Sequence, residues 1–352
     1  MKPLIQAYVC CLLLLIPTLT FAKILFKSHR DGGDNIYVMD DDGTNVQRLT
    51  NTQRPRWDAG PVWSPDGKQI AFFRNIPKIP NRQHPRLFIM DQDGSNEKQI
   101  TEVIAGNCTW APDGRRIAFE GDSDIRVIDI VTREIQVLTR NRDVNELTAN
   151  PAWSPNGKYI AYRQTLARQG TTIYVMKSDG TDKHPLVPRN EWVRYHPRWS
   201  LDSKSVLYFE TLNDPDLGFK FISSRVVIQE HGLINRRILK TPEQWVIHGV
   251  CWFDNGKQVL ISAEEYGAKD RQIEIYKYHL ANDQITNITN NPEDDWAPDW
   301  ISDNILPVSP VDKKEVQWGK LKVGLKNSLN LFGQLFHTPT QAENSNAEAI
   351  LK

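Results

Sequence analysis

Four short stretches carry side chains that could do chemistry: Trp57-Asp58, Trp192 with Arg194-Tyr195-His196, Trp245 with His248, and Asp294-Asp295-Trp296. Each sets an indole ring beside ionisable groups. That mixture suits capture of a peptide, a protein loop or a sugar, because rings offer large contact area and a few charges fix orientation. A plainer role is packing of the tryptophans under loops, with the charges solvated. His196 and His248, with Asp58 or Asp295, are also metal-ligand types, but they come from separate stretches and lack the contiguous spacing of a metal motif. Strand alternation would aim the two histidines to opposite sides of a pleat, since they precede the next tryptophan of the recurring phrase by three and four residues. No G-x-S-x-G elbow or other nucleophile motif accompanies them. The expectation is therefore a ligand mouth without catalytic residues, cofactor or metal.

What must position these stretches is a repeat. The phrase "WSPDGKQIAFF" begins at Trp63, with weaker copies at Trp110, Trp153, Trp199, Trp252 and Trp300, at spacings of 47, 43, 46, 53 and 48 residues. A period of that size marks a repeat architecture. Each unit reads as four short strands, as in residues 59–101: an extended entry, the turn Pro65-Asp66-Gly67, "KQIAFF", a loop, "RLFIMD", the turn "QDGSN" and "EKQIT". Pro sets the corner of the first turn and Gly the exit, while Asp or Asn beside Gly marks the second hairpin. The second turn, as in "DDDGTN", lacks the twelve-residue spacing and closing Glu of a calcium loop.

Such a unit cannot bury both faces alone, and like units arranged radially give a β-propeller. Six anchors predict an all-β, six-bladed propeller of four-stranded blades, with each repeat tryptophan packed between neighbouring blades. Residues 23–50 supply the second, third and fourth strands of a unit, and "DDWAPDWISDN" supplies a first strand. Pairing the N-terminal strands with the C-terminal strand closes the ring and removes the open edges. The "SPDG" and "DxDGxN" turns then share one face. The opposite face carries the unequal links "RNIPKIPNRQHPR", "RQTLARQGT", "ETLNDPDLG" and "AEEYGAKDRQ", together with the entries to the first strands. Function collects on variable loops held by a rigid scaffold, so the candidate site is the channel mouth on that face: Trp57, Asp58, Trp192, Arg194, Tyr195, His196, Trp245, His248, Asp295 and Trp296.

The phrase "P-x-W-S-P-D-G-K-x-I-A-F … I-Y-V-M-D-x-D-G-x-N … L-T" resembles the TolB-type, WD40-like (PD40) propeller repeat over about residues 23–305. The same repeat occurs in the propellers of prolyl-oligopeptidase-type enzymes and of oligogalacturonate lyases. The resemblance implies a non-catalytic propeller that binds a protein or peptide partner through its variable face. The alternative it implies is a carbohydrate-active lyase with a metal-assisted site at the channel mouth, using Arg194, His196 and His248.

Lysine plus arginine and aspartate plus glutamate balance at 43 each over 352 residues, so no global field favours nucleic acid. The first 22 residues run from Lys2 through an apolar stretch to Thr20-Phe21-Ala22, which reads as a signal peptide cleaved at about Ala22/Lys23 and directs the chain to the periplasm or outside the cell. Cys108 and Cys251 fall in separate units and read as buried free thiols. The propeller is placed at 23–308. Within 309–352, Trp318, Leu321, Leu325, Leu329, Phe332 and Phe336 recur at helical spacing, an amphipathic helix able to pack on the propeller or to meet a partner or membrane surface, followed by a polar tail without order. The expected state is a monomer.

Overall fold

The computed structural model describes residues 22–302 apart from 78–82, 142–145, 168, 215–219 and 234. The expected leader of residues 1–22, apart from Ala22, and the helix and polar end expected over 309–352 lie outside the described residues. Twenty-four strands form six four-stranded antiparallel sheets. Blade 1 joins the two ends of the described chain: β24 (Asp295–Ile301) pairs with β1 (Lys23–Ser28), so that Lys23 faces Ile301 and Leu25 faces Asp299. The other five blades run in chain order, with first strands β4 (Asp58–Trp63), β8 (Gly106–Trp110), β12 (Glu146–Trp153), β16 (Val193–Trp199) and β20 (Trp245–Phe253). Each first strand touches the first strands of both neighbouring blades, which closes the ring around a central channel.

The core is divided among the blade boundaries. Among the described residues six buried apolar clusters each combine residues of two adjacent blades; four contain a repeat tryptophan, and half-buried Trp252 and Trp300 pack against the other two. Trp199, for example, packs with Ala152, Ala161 and Val175 of the preceding blade and with Val206, Tyr208 and Val227 of its own. Burial of these clusters, with an indole in or against each, draws neighbouring blades together at roughly 25 cal/mol per Å² of apolar surface removed from water.

The turn residues do what their types dictate. Ser64 Oγ donates to Asp66 Oδ1 at 2.7 Å and accepts from the Gln69 amide at 2.9 Å, while Gly67 takes φ of +70°. In the second hairpin Asn45 Nδ2 donates to Asp40 Oδ2 at 2.7 Å, and Asn96 makes the same bond to Asp91. The closing threonines extend very short fourth strands: Thr50, Thr101, Thr139 and Thr289 each accept a third-strand amide on Oγ1. Cys108 and Cys251 are buried free thiols on different blades. Burial pushes both above the ordinary thiol range, Cys108 to about 12.

Candidate functional site

First strands lining the channel have one open edge, and the sequence accommodates that edge. Three residues before four of the anchors stand Gly60, Asn150, His196 and Ala297, all with left-handed backbone (φ +59°, +51°, +47° and +52°). Each is followed by a proline, Pro61, Pro151, Pro197 or Pro298, whose missing N–H faces no partner strand. A register shift interrupts the pairing of every first strand near this point, so all six carry a bulge. At Gly60 a Cβ would come within 2.3 Å of the Phe73 ring, which requires glycine there. These bulges form the channel waist, a cavity of about 30 Å³ lined by Gly60, Asn107, Asn150, His196, Arg198 and Ala297.

Bulges fall at both histidines. Simple alternation fails across the shifts between Tyr195 and Arg198 and between Ile247 and Gly249. His196 lines the waist and stacks on Phe209 with ring centroids 5.7 Å apart. Its burial, together with the charges of Arg198 and Arg163, lowers its pKa to about 3, so it is neutral at ordinary pH. His248 instead reaches Glu264 on the adjacent strand of its own blade, at 3.3 Å.

At the entry face the acidic and basic candidates are braces. Asp58, fully buried, accepts from Arg74 Nε and Nη2 at 2.7 and 2.8 Å and from Thr52 Oγ1 at 2.7 Å; Arg74 continues to Glu97 at 2.6 Å. Asp295, also fully buried, takes both oxygens to Arg30 Nη2 at 3.0 and 2.9 Å. Arg194 is 1% exposed and donates to Glu210 at 3.1 Å and to Asn190 at 2.7 Å. Glu210 also receives Arg225 at 2.6 Å and Arg236. A buried carboxylate ringed by guanidiniums is held in place only while every charge keeps its partner.

The aromatic candidates divide. Trp57, Trp192, Tyr195 and Trp296 are half-buried. Trp57 meets Phe73 edge-on, Trp192 lies under the Arg225 guanidinium at 3.8 Å, Tyr195 stacks on Phe209, and Trp296 lies under Lys27 Nζ at 3.8 Å with His29 at its edge. Trp245 is different: it is 7% exposed, lies in the cluster between blades 5 and 6 and packs on Tyr276 at 4.3 Å. The ten residues thus occupy blades 1, 2, 5 and 6, each group braced within its own blade or against a neighbour. Among the described residues no three His, Cys, Asp or Glu side chains stand together in a way that could hold a metal ion.

The roomier cavity opens on the other face. A funnel of about 380 Å³ is lined by Trp63, Trp110, Trp153 and Trp300, by Pro65, Pro112 and Pro155 of the repeated turns, and by Arg198, Leu201 and Asp299. Val62 and Arg198 line both cavities, so the funnel continues into the waist. Arg198 and Asp299, each one residue ahead of an anchor, lie outside the sequence-predicted site because the adjacent repeat tryptophans account for those stretches as packing signal. Their departure from the small or apolar residues at the equivalent positions Val62, Thr109, Ala152 and Cys251 was the available clue.

Six four-stranded blades, closed by their own two ends around a channel with two unlike mouths, define the class as a six-bladed β-propeller. No family model matches the sequence. Over 82 residues, 23% of this chain and 17% of the relative, the sequence is 40% identical to the Tol-Pal system protein TolB of Zymomonas mobilis. Over 146 residues, 40% of this chain and 31% of the relative, it is 31% identical to the protein TolB homolog of Chlorobium chlorochromatii. The crystal structure of TolB from Acinetobacter baumannii superimposes with a TM-score of 0.64 at 16% identity, covering 84% of this chain and 71% of that one. The chain is TolB-like in its repeat and in its propeller fold, and the matched stretches span less than a third of either sequence relative.

Proposed function

We propose that the chain is an exported, non-catalytic propeller that captures a protein or peptide partner through its entry face, in the periplasm or outside the cell. One observation carries this reading: half-buried Trp57, Trp192 and Trp296 stand at first-strand entries on three different blades, and the residues next to them in sequence or space are locked in buried ion pairs. A rim of this kind presents aromatic area on rigid supports, so little order has to be created on binding. The likeness to a protein named for the Tol-Pal system supports a role in a protein assembly. Carbohydrate is a second ligand class that aromatic rims accommodate, and the partner surface is read as that of a monomer.

The test is capture by the mature chain and by a Trp192→Ala/Trp296→Ala double variant, each immobilised and exposed to an envelope fraction. Loss of one retained protein in the variant, with the thermal midpoint little changed, supports the entry face. Undiminished capture by the variant overturns it.

A further inference from the structure

Of the residues that stand one before the repeat tryptophans, Arg198 and Asp299 carry charge, and the fold provides for them differently. Asp299 is served from within: its Oδ2 accepts the Trp63 amide at 2.8 Å, and its Oδ1 lies 3.9 Å from the Cys251 thiol. Glu120, a carboxylate beside the waist, accepts from Asn107 Nδ2 at 3.0 Å and from the Asn150 amide at 3.1 Å. Arg198 is not served. It makes no hydrogen bond and no ion pair among the described residues, and Asp299 stands beyond ion-pair distance although the guanidinium acts on its carboxyl. Arg198 Nε is enclosed by the fold, whereas both Nη nitrogens keep accessible surface. Arg198 is half-buried and lines the funnel and the waist alike, so that surface faces the channel where the two meet. A guanidinium withdrawn from bulk water without an acceptor is a costly arrangement that a bound anion relieves, and its planar fork matches a carboxylate.

The rest of the cavity narrows the ligand class. At about 380 Å³ the funnel has the size of a small-molecule pocket. Trp63, Trp110, Trp153 and Trp300 line it, together with Leu201, which is 54% exposed. Such walls call for an apolar body. The waist, about 30 Å³, is too narrow to pass an organic molecule, so an anionic head entering from the turn face stops at Arg198. Asp299 lines the same funnel and would repel a second negative charge, which limits the ligand to a monoanion.

We propose that the turn-face funnel is a second binding site, independent of the entry rim, for a small apolar monocarboxylate. The carboxylate pairs with the Nη nitrogens of Arg198 at the floor, and the apolar body lies along the indole walls.

The experiment is a heteronuclear NMR titration of the full chain with phenylacetate, following the indole N–H resonances. The expected result is saturable movement of the Trp63, Trp110, Trp153 and Trp300 signals, while Trp199 and Trp252, which line neither cavity, stay in place. Phenylacetamide keeps the body and loses the charge, and acetate keeps the charge and loses the body; each is expected to bind about tenfold more weakly or worse. Arg198→Gln is expected to weaken phenylacetate by a similar factor and to leave phenylacetamide unchanged. Because the lost guanidinium has no partner within the fold, the thermal midpoint should stay the same or rise. Absence of a saturable shift, equal affinity for phenylacetate and phenylacetamide, or undiminished binding of phenylacetate by Arg198→Gln overturns the site. Acetate binding as tightly as phenylacetate overturns the apolar class and leaves a simple anion site. If the variant fails to fold, the three probes on the wild-type chain decide.

Discussion

The two mouths of the channel are built by opposite strategies. The turn-face funnel comes from what several units share: four of the repeat tryptophans and three of the proline turns recur around it, and an apolar cavity results from their convergence. The entry face comes from what the units do not share. There each blade solves its own burial problem, Asp58 with Arg74, Glu210 with three arginines, Asp295 with Arg30. Repetition makes a surface whose chemistry is averaged over the ring, whereas variation makes one whose groups are individually fixed. The first tolerates change at any single blade poorly for stability; the second is where single changes can alter recognition.

That contrast can be broken by substitution. Trp199→Ala empties a boundary between two blades and is expected to cost about 3–5 kcal/mol in denaturant unfolding. Trp245→Ala belongs with it despite lying at the entry end, because its ring is part of an inter-blade cluster. Next in size is Glu210→Gln, which leaves Arg194 buried without its anion; a loss of about 3 kcal/mol is expected, since the cost comes from an uncompensated buried charge. A near-neutral result would mean that the arginines reach solvent or other partners.

The third effect depends on pH. His196 is neutral in the folded channel and free to protonate when unfolded, so its contribution is complete above the ordinary histidine pKa and is lost as pH falls from about 6.5 toward the folded value of about 3. The slope of stability against pH in that window gains up to about 1.4 kcal/mol per unit from this one group. His196→Asn, which also tolerates a left-handed backbone, should flatten that part of the profile. An unchanged profile would show that His196 is solvated. The smallest effect is expected for Trp57→Ala, a loss of about 1 kcal/mol or less, because the ring is half-buried and meets Phe73 only by its edge.

The blade count and the closure were legible in the sequence because the same signals recur once per unit. Pro and Gly at the turn corners act within a few residues of themselves, and the tryptophan of each boundary is recognisable from its place in the phrase even though its partners lie on the neighbouring blade. The site was legible only in part. Trp57, Trp192 and Trp296 stand at strand entries as their spacing suggested, but the partners of Asp58, Arg194 and Asp295 lie elsewhere in the chain, 16, 16 and 265 residues away. A pattern reading could not say whether these charges were open or paired. The funnel was hidden for another reason: the residues that line it were already explained by packing.

The ring itself depends on β1 and β24 forming one sheet from the beginning and end of the described chain. Native-state hydrogen exchange of the full chain addresses that directly. The amides of the β1–β24 ladder, Leu25 and Asp299 among them, should exchange only with global unfolding, as slowly as those of β13 (Tyr159–Leu166) within an uninterrupted blade. Exchange of that ladder orders of magnitude sooner, with the other blades still protected, would contradict closure by the chain ends.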